Sequence, residues 1–187
     1  MQSAGFTNFA SISRRGPLRP AGGGMTMKTL IVYYSLEGNT AYAAERMAAA
    51  LGAETLRLSP DKPYPDRGFK KLFWGGKSAV MAETPRLRPY AFDAAAWERI
   101  IFGFPVWAAN MAPPIRTFIK ENDLTGKRIA AFACQGGSGA EKALGKLKAA
   151  LGIGALEAEL VLIDPKARPS EDNERKIDAF CAALRGE

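Results

Sequence analysis

At 187 residues, 47% of them hydrophobic and 24% charged, the chain can build one domain with a real core and is too short for two ordinary ones. No apolar run approaches the length of a membrane span, which excludes a helical transmembrane reading. Histidine is absent, so Ser–His and Cys–His catalysis are excluded and the usual zinc ligand is missing.

The net charge is +7. Arg14, Arg15 and Arg19 fall in the first 26 residues, which hold no acid, leaving about +4 on the remainder. A basic surface favours anionic partners. No basic stripe interleaved with aromatics is present, so nucleic acid is not an expected partner. Residues 1–26, rich in Gly, Ser, Pro and Arg and without periodicity, read as a disordered leader ahead of a domain over 27–187, with Met25 or Met27 as a possible functional start. Arg14-Arg15 has no apolar segment after it, which argues against an export signal. Cys134 and Cys181 do not make a disulfide framework, and a reducing cytoplasm is the expected compartment.

Leu30-Ile31-Val32-Tyr33-Tyr34 has the length and composition of a strand buried on both faces. It ends in Ser35-Leu36-Glu37-Gly38-Asn39-Thr40, and from Ala41 to about Leu51 the composition is strongly helix-forming, with Gly52 as a stop. Strand, small polar loop and helix start together make an anion site: first-turn N–H groups and the helix dipole face the loop. Ser35, Asn39 and Thr40 offer side-chain donors, and Gly38 permits a tight turn. A helix cap alone would account for Asn39 or Thr40. The loop is neither G-x-G-x-x-G nor a P-loop. Gly76-Lys77-Ser78 ends like a P-loop, but Lys71 stands at its first glycine and no strand precedes it.

Ala53–Leu58 alternates as an edge strand. Ser59–Pro89 is irregular, with a helix expected around Gly68–Met81. Glu98–Gly103 is the next buried strand, entering a loop over 104–112. Pro113-Pro114 opens a helix, and Lys127–Cys134 is a fourth strand. Gln135-Gly136-Gly137-Ser138-Gly139 is a second small polar loop before a helix to about Leu151. Leu156–Ile163 is a fifth strand, and Ser170 starts a last amphipathic helix through Leu184. Strands alternating with helices imply a parallel sheet covered on both faces. The loops 35–40, 104–112 and 135–139 all follow strands, at the edge where such sheets bind ligands.

Three of these stretches in combination resemble the flavodoxin family. Ser35–Thr40 is similar to its FMN phosphate loop, T/S-x-T-G-N-T. Gly103-Phe104-Pro105-Val106-Trp107 resembles the loop that sets an aromatic against the flavin, and Cys134–Gly139 the third loop. Phe73-Trp74-Gly75-Gly76-Lys77 and Trp107–Phe118 resemble a bacterial subgroup of flavodoxins or NAD(P)H-dependent oxidoreductases. The resemblance spans about residues 28–187. It implies a flavodoxin-like doubly wound α/β fold with a five-stranded parallel sheet in order 2-1-3-4-5, in the short-chain form. It implies FMN held by Ser35, Leu36, Glu37, Gly38, Asn39, Thr40, Pro105, Val106, Trp107, Ala108, Ala109, Asn110, Cys134, Gln135, Gly136, Gly137, Ser138 and Gly139. No metal ligand and no catalytic side chain is expected.

The chain departs from the family at Glu37, where a hydroxyl is usual; its side chain is expected to point outward. It is also basic where family carriers are acidic. Trp107 is expected to face the flavin, with Trp74 or Tyr64 either on the other face or in core or lid packing. Cys134 is expected to be structural or a backbone contact, and Cys181 to be packing. Family carriers use a glycine for the peptide flip that serves the neutral semiquinone. Ala108 and Ala109 make a flip to positive φ costly. The resulting expectation is an FMN-dependent oxidoreductase passing electrons from NAD(P)H to a quinone-like acceptor. The alternative is a one-electron carrier docking redox protein partners. A receiver-like module without flavin would need an aspartate where Gly103-Phe104 stands. Oligomeric state is left open.

Overall fold

The computed structural model describes residues 27–64 and 83–187. The expected leader, the helix expected over 68–81, Trp74 and the Gly76-Lys77-Ser78 stretch lie outside the described residues.

Chain order is β1 (Thr29–Tyr33), α1 (Asn39–Leu51), β2 (Glu54–Arg57), a single 3-10 turn (Ala94–Ala96), β3 (Arg99–Trp107), β4 (Asn110–Met111), α2 (Pro113–Glu121), β5 (Arg128–Gln135), α3 (Ala140–Leu151), β6 (Glu159–Ile163) and α4 (Glu171–Arg185). The sheet runs β2-β1-β3-β5-β6, with β4 paired only to β3. Counted alone, the parallel strands keep the order expected from the sequence. The addition is β4, a two-residue antiparallel strand inside what the sequence suggested was a loop. The last strand is also shorter than expected, beginning at Glu159, although the Glu157 N–H already bonds the Ile129 carbonyl of β5 at 2.7 Å.

Alternation along the central strands builds two cores. Leu30, Val32, Ile100, Phe102, Phe104 and Ala131 face one side, against Ile115 and Phe118 of α2 and Leu144 and Leu147 of α3. Ile31, Ile101, Ala130, Phe132 and Cys134 face the other, against Ala43 and Met47 of α1 and Ile177, Phe180 and Leu184 of α4. β1, β3 and β5 are therefore buried on both faces, which is why they read as continuous apolar runs rather than alternating ones. Gly103 marks the tightest contact: a Cβ there would lie 2.2 Å from the Phe132 ring.

At the amino ends of the strands, Arg99 is 4% exposed. Its guanidinium donates to both Glu157 carboxylate oxygens, at 2.8 and 2.6 Å, and to the Leu184 carbonyl at 2.8 Å. Arg128 also bonds Glu157. This cluster ties α4 to the sheet. Burial pushes the Glu157 carboxyl up, but the hydrogen bonds and charges of Arg99 and Arg128 outweigh burial and hold it below its ordinary value. The carboxyl ends of the strands, on the opposite side of the molecule, are left to the loops.

Candidate functional site

Four loops converge at the carboxyl edge. The first is 34–38, between β1 and α1. Gly38 is the N-cap of α1 at φ 94°, and no side chain caps the helix. Within the loop the Gly38 N–H donates to Ser35 Oγ at 3.1 Å. Arg57 on β2 braces the loop from below, donating to the Ser35 carbonyl at 3.2 Å.

Thr40, in the first turn of α1, is 1% exposed, and its Oγ1 has no hydrogen-bond partner. A buried hydroxyl without a partner costs about 1–3 kcal/mol. The group that the Thr40 hydroxyl acts on is the Cys134 thiol. Glu37 is exposed, as expected of a carboxylate beside an anion site.

Asn39 departs from expectation. Its Oδ1 accepts the backbone N–H groups of Lys166 at 2.9 Å and Ala167 at 3.0 Å, and its Nδ2 reaches Asp164 Oδ1 at 3.5 Å. Its carbonyl oxygen is therefore committed to a turn after β6, and its amide nitrogen faces Asp164 at the limit of hydrogen-bond distance. That turn, 164–168, is the fourth loop, and the sequence reading missed it. Its signal was available: Asp164-Pro165 follows a strand on the same sheet edge.

The second loop is a hairpin tip. Val106 pairs with Met111 and Trp107 with Asn110 across a two-residue connection, Ala108-Ala109, at φ 47° and 56°. Positive φ at both central residues is the type I′ pattern, normally filled by Asn and Gly. The alanines accept a conformation that costs roughly 1–2 kcal/mol per residue with a Cβ. Alanine by itself resists positive φ; here the fold imposes it, through the pairing of β3 with β4. Asn110, 5% exposed, locks the tip: its Nδ2 donates to the Ala108 carbonyl at 2.7 Å, and its Oδ1 accepts from Lys146 Nζ on α3 at 2.5 Å.

The third loop, 135–139, touches the hairpin. Gly139 is the N-cap of α3 at φ 100°, and a Cβ on it would fall 3.0 Å from the Ala109 methyl. Gln135 Oε1 accepts the Ala140 N–H at 2.9 Å. Gly136 and Gly137 are exposed, and Gly136 lies beside the Asp164 carboxylate.

Pro105 and Val106 are half-buried in β3, and Trp107 packs edge-on against Tyr34 at 5.7 Å and Tyr64 at 5.1 Å. Tyr64 therefore joins an aromatic cluster with Trp107. A cleft of about 430 Å3 opens between the first loop and residues 57–64, with Ser35, Arg57, Tyr64 and Arg88 in its wall. Another, of about 620 Å3, lies between the hairpin tip and the third loop, lined by Ala108, Ala109, Gln135 and Ser138.

Cys134 sits below this edge, 4% exposed. Burial pushes its thiol up to about 12, with the neighbouring Thr40 hydroxyl acting in the opposite direction. Cys181 is 1% exposed in the core beneath α4. Neither is placed to be a nucleophile. Among the described residues, no cluster of acids and cysteines could hold a metal, and no helix is long and apolar enough to cross a membrane.

An uncapped helix start with a buried hydroxyl, next to an aromatic and a hairpin tip, stands at the carboxyl edge of the sheet, where doubly wound folds bind their ligands. The flavodoxin family model matches residues 28–169. Among solved structures, a Lactobacillus acidophilus flavoprotein in complex with FMN is 18% identical, with a TM-score of 0.66, covering 82% of this chain and 98% of its own. A Bacteroides uniformis chain assigned as a flavoprotein is 26% identical, with a TM-score of 0.64, covering 73% and 90%. One from Bacteroides eggerthii, similarly assigned, is 24% identical, with a TM-score of 0.64, covering 82% and 98%. The chain belongs to the flavodoxin family, whose cofactor is FMN.

Proposed function

We propose that this protein is an FMN-dependent oxidoreductase that passes electrons from NAD(P)H to a quinone-like acceptor. In the overall reaction NAD(P)H and a proton reduce the quinone to its hydroquinone, releasing NAD(P)+. Ser35 to Thr40 hold the phosphate, through backbone N–H groups and the Ser35 and Thr40 hydroxyls; Asn39 serves by positioning. Residues 105–110 and 134–139 hold the ring, with Trp107 supplying an aromatic wall. Bound FMN supplies the two-electron chemistry.

The observation that carries this reading is the locked hairpin tip. The Ala108 carbonyl is held by Asn110, and Asn110 by Lys146. Rotating that peptide would break a bond worth about 1 kcal/mol and disturb a second one made to an ammonium. The tip also contains no carboxylate, and the cation behind it favours negative charge arriving at the ring. Both features oppose one-electron storage and support two-electron transfer. Two buried free thiols, Cys134 and Cys181, fit a reducing cytoplasm.

The test is an anaerobic reductive titration of FMN-loaded protein, followed by visible absorbance. The expected course is direct bleaching, with turnover of NAD(P)H in the presence of a quinone. A stable long-wavelength band with no NAD(P)H turnover would refute the oxidoreductase reading and identify a one-electron carrier.

A further inference from the structure

The 164–168 turn has no part in the phosphate loop of the sequence reading, yet it is fastened to that loop. Asn39, the first residue of α1, accepts two of its backbone N–H groups, from Lys166 and Ala167. Pro165 is buried, Asp164 stands at φ 39°, and Arg168 closes the turn through its N–H to the Asp164 carbonyl at 2.7 Å. Two side-chain contacts hold Asp164 as well: Arg168 at 3.3 Å and Asn39 at 3.5 Å.

This fastening lays the Lys166 side chain across Gly38. A Cβ on Gly38 would lie 3.0 Å from Lys166 Nζ and 3.2 Å from its Cδ. The ammonium therefore sits over Gly38, the N-cap of α1. Among the described residues, Lys166 Nζ makes no ion pair. A long flexible cation held over a helix N-terminus, where the dipole is already positive, is poorly placed for the protein alone. A dianion in the loop reverses the sign of that interaction.

We propose that Lys166 supplies the counter-charge for the FMN phosphate, so that the turn after β6 makes this site select the phosphorylated flavin over riboflavin. The proposal rests on FMN occupying the 35–40 loop. Asn39 is a positioning residue in this scheme: it holds the turn, and the turn holds the cation.

The test measures binding of FMN and of riboflavin to the flavin-stripped full chain by fluorescence quenching, over a range of salt. Lys166→Gln is expected to weaken FMN about tenfold or more, the scale of one charge-assisted contact, and to leave riboflavin unchanged. Lys166→Arg is expected to restore most of the loss. The salt dependence of FMN binding is expected to flatten in Lys166→Gln, since a screened charge pair has been removed. Lys120→Gln, at the far end of α2, controls for net charge and is expected to change neither ligand. Asn39→Ala is expected to weaken FMN selectively, with little further loss when Lys166→Gln is added.

Equal weakening of both flavins in Lys166→Gln, no change in either, or an equal effect from Lys120→Gln would overturn the role of Lys166. Wild-type protein that fails to prefer FMN over riboflavin would overturn the phosphate assignment of the loop itself, an outcome separate from any variant. The side chain of Lys166 is exposed, so its loss is not expected to unfold the apo protein, and apo thermal unfolding of each variant checks this.

Discussion

Replacing Ala109 by glycine should stabilise this protein, the reverse of what the substitution does elsewhere in it. Ala109 holds φ 56° in the hairpin tip, a conformation costing about 1–2 kcal/mol for a residue with a Cβ. Glycine removes that cost but gives back about 0.5–1 kcal/mol to the entropy of the unfolded chain. The methyl group lost lies against Gly139, and little burial goes with it. The net gain is about 0.5–1 kcal/mol, which for a domain of this size raises Tm by about 1–4 °C. Ala49→Gly, on the exposed face of α1, provides the contrast: it should cost about 1 kcal/mol. Thermal unfolding of the apo protein by circular dichroism reads both. If Ala109→Gly lowers Tm as Ala49→Gly does, the tip is not strained, and the account of the locked hairpin loses its basis. In the FMN-loaded protein the same variant should show a larger long-wavelength band on reductive titration, because glycine lowers the barrier to peptide rotation.

Thr40→Val should leave apo Tm unchanged or raise it, since the hydroxyl removed has no partner, while FMN binding weakens about tenfold; a fall in apo Tm would mean the hydroxyl is satisfied in the free protein. Glu157→Gln should cost about 3 kcal/mol at neutral pH by leaving the Arg99 guanidinium buried without its counter-charge. The folded-state carboxyl lies below its ordinary 4.5, so its contribution is full above that value and fades as pH falls through the lower folded-state value. The acid limb of a Tm-against-pH curve should be steeper in wild type than in Glu157→Gln, and parallel limbs would contradict the pairing. Neither thiol should react with a neutral-pH aromatic disulfide reagent in the folded protein, and both should react in denaturant. Rapid native labelling of Cys134 would show that burial does not hold its thiol up near 12 as described.

The parts of this molecule legible in its sequence are those where one physical requirement acts on contiguous residues. β1, β3 and β5 lie between two helical layers, so every residue must be apolar, and that demand shows as an unbroken run. The helices declared themselves by composition and by their ends, Gly52 after α1 and Ser170 before α4, where the backbone groups need a glycine or a hydroxyl. Two small polar loops at strand ends were visible because an anion site needs little besides N–H groups and room.

What was not legible depends on residues distant in sequence. Asn39 looks like a side chain left for the phosphate until the turn at 164–168 binds its carbonyl oxygen and sets Asp164 beside its amide nitrogen. Ala108-Ala109 carries no turn signal; only the pairing of Trp107 with Asn110, anchored from α3 by Lys146, drives two alanines to positive φ. Lys166 is an unremarkable surface lysine until the close of β6 lays it over Gly38. The sequence by itself determined the layered sheet and the family, because burial and helix ends are local demands. Only the tertiary structure decided which side chains are spent on the scaffold and which remain for the ligand, because a hydrogen bond is committed by the partner that arrives in space.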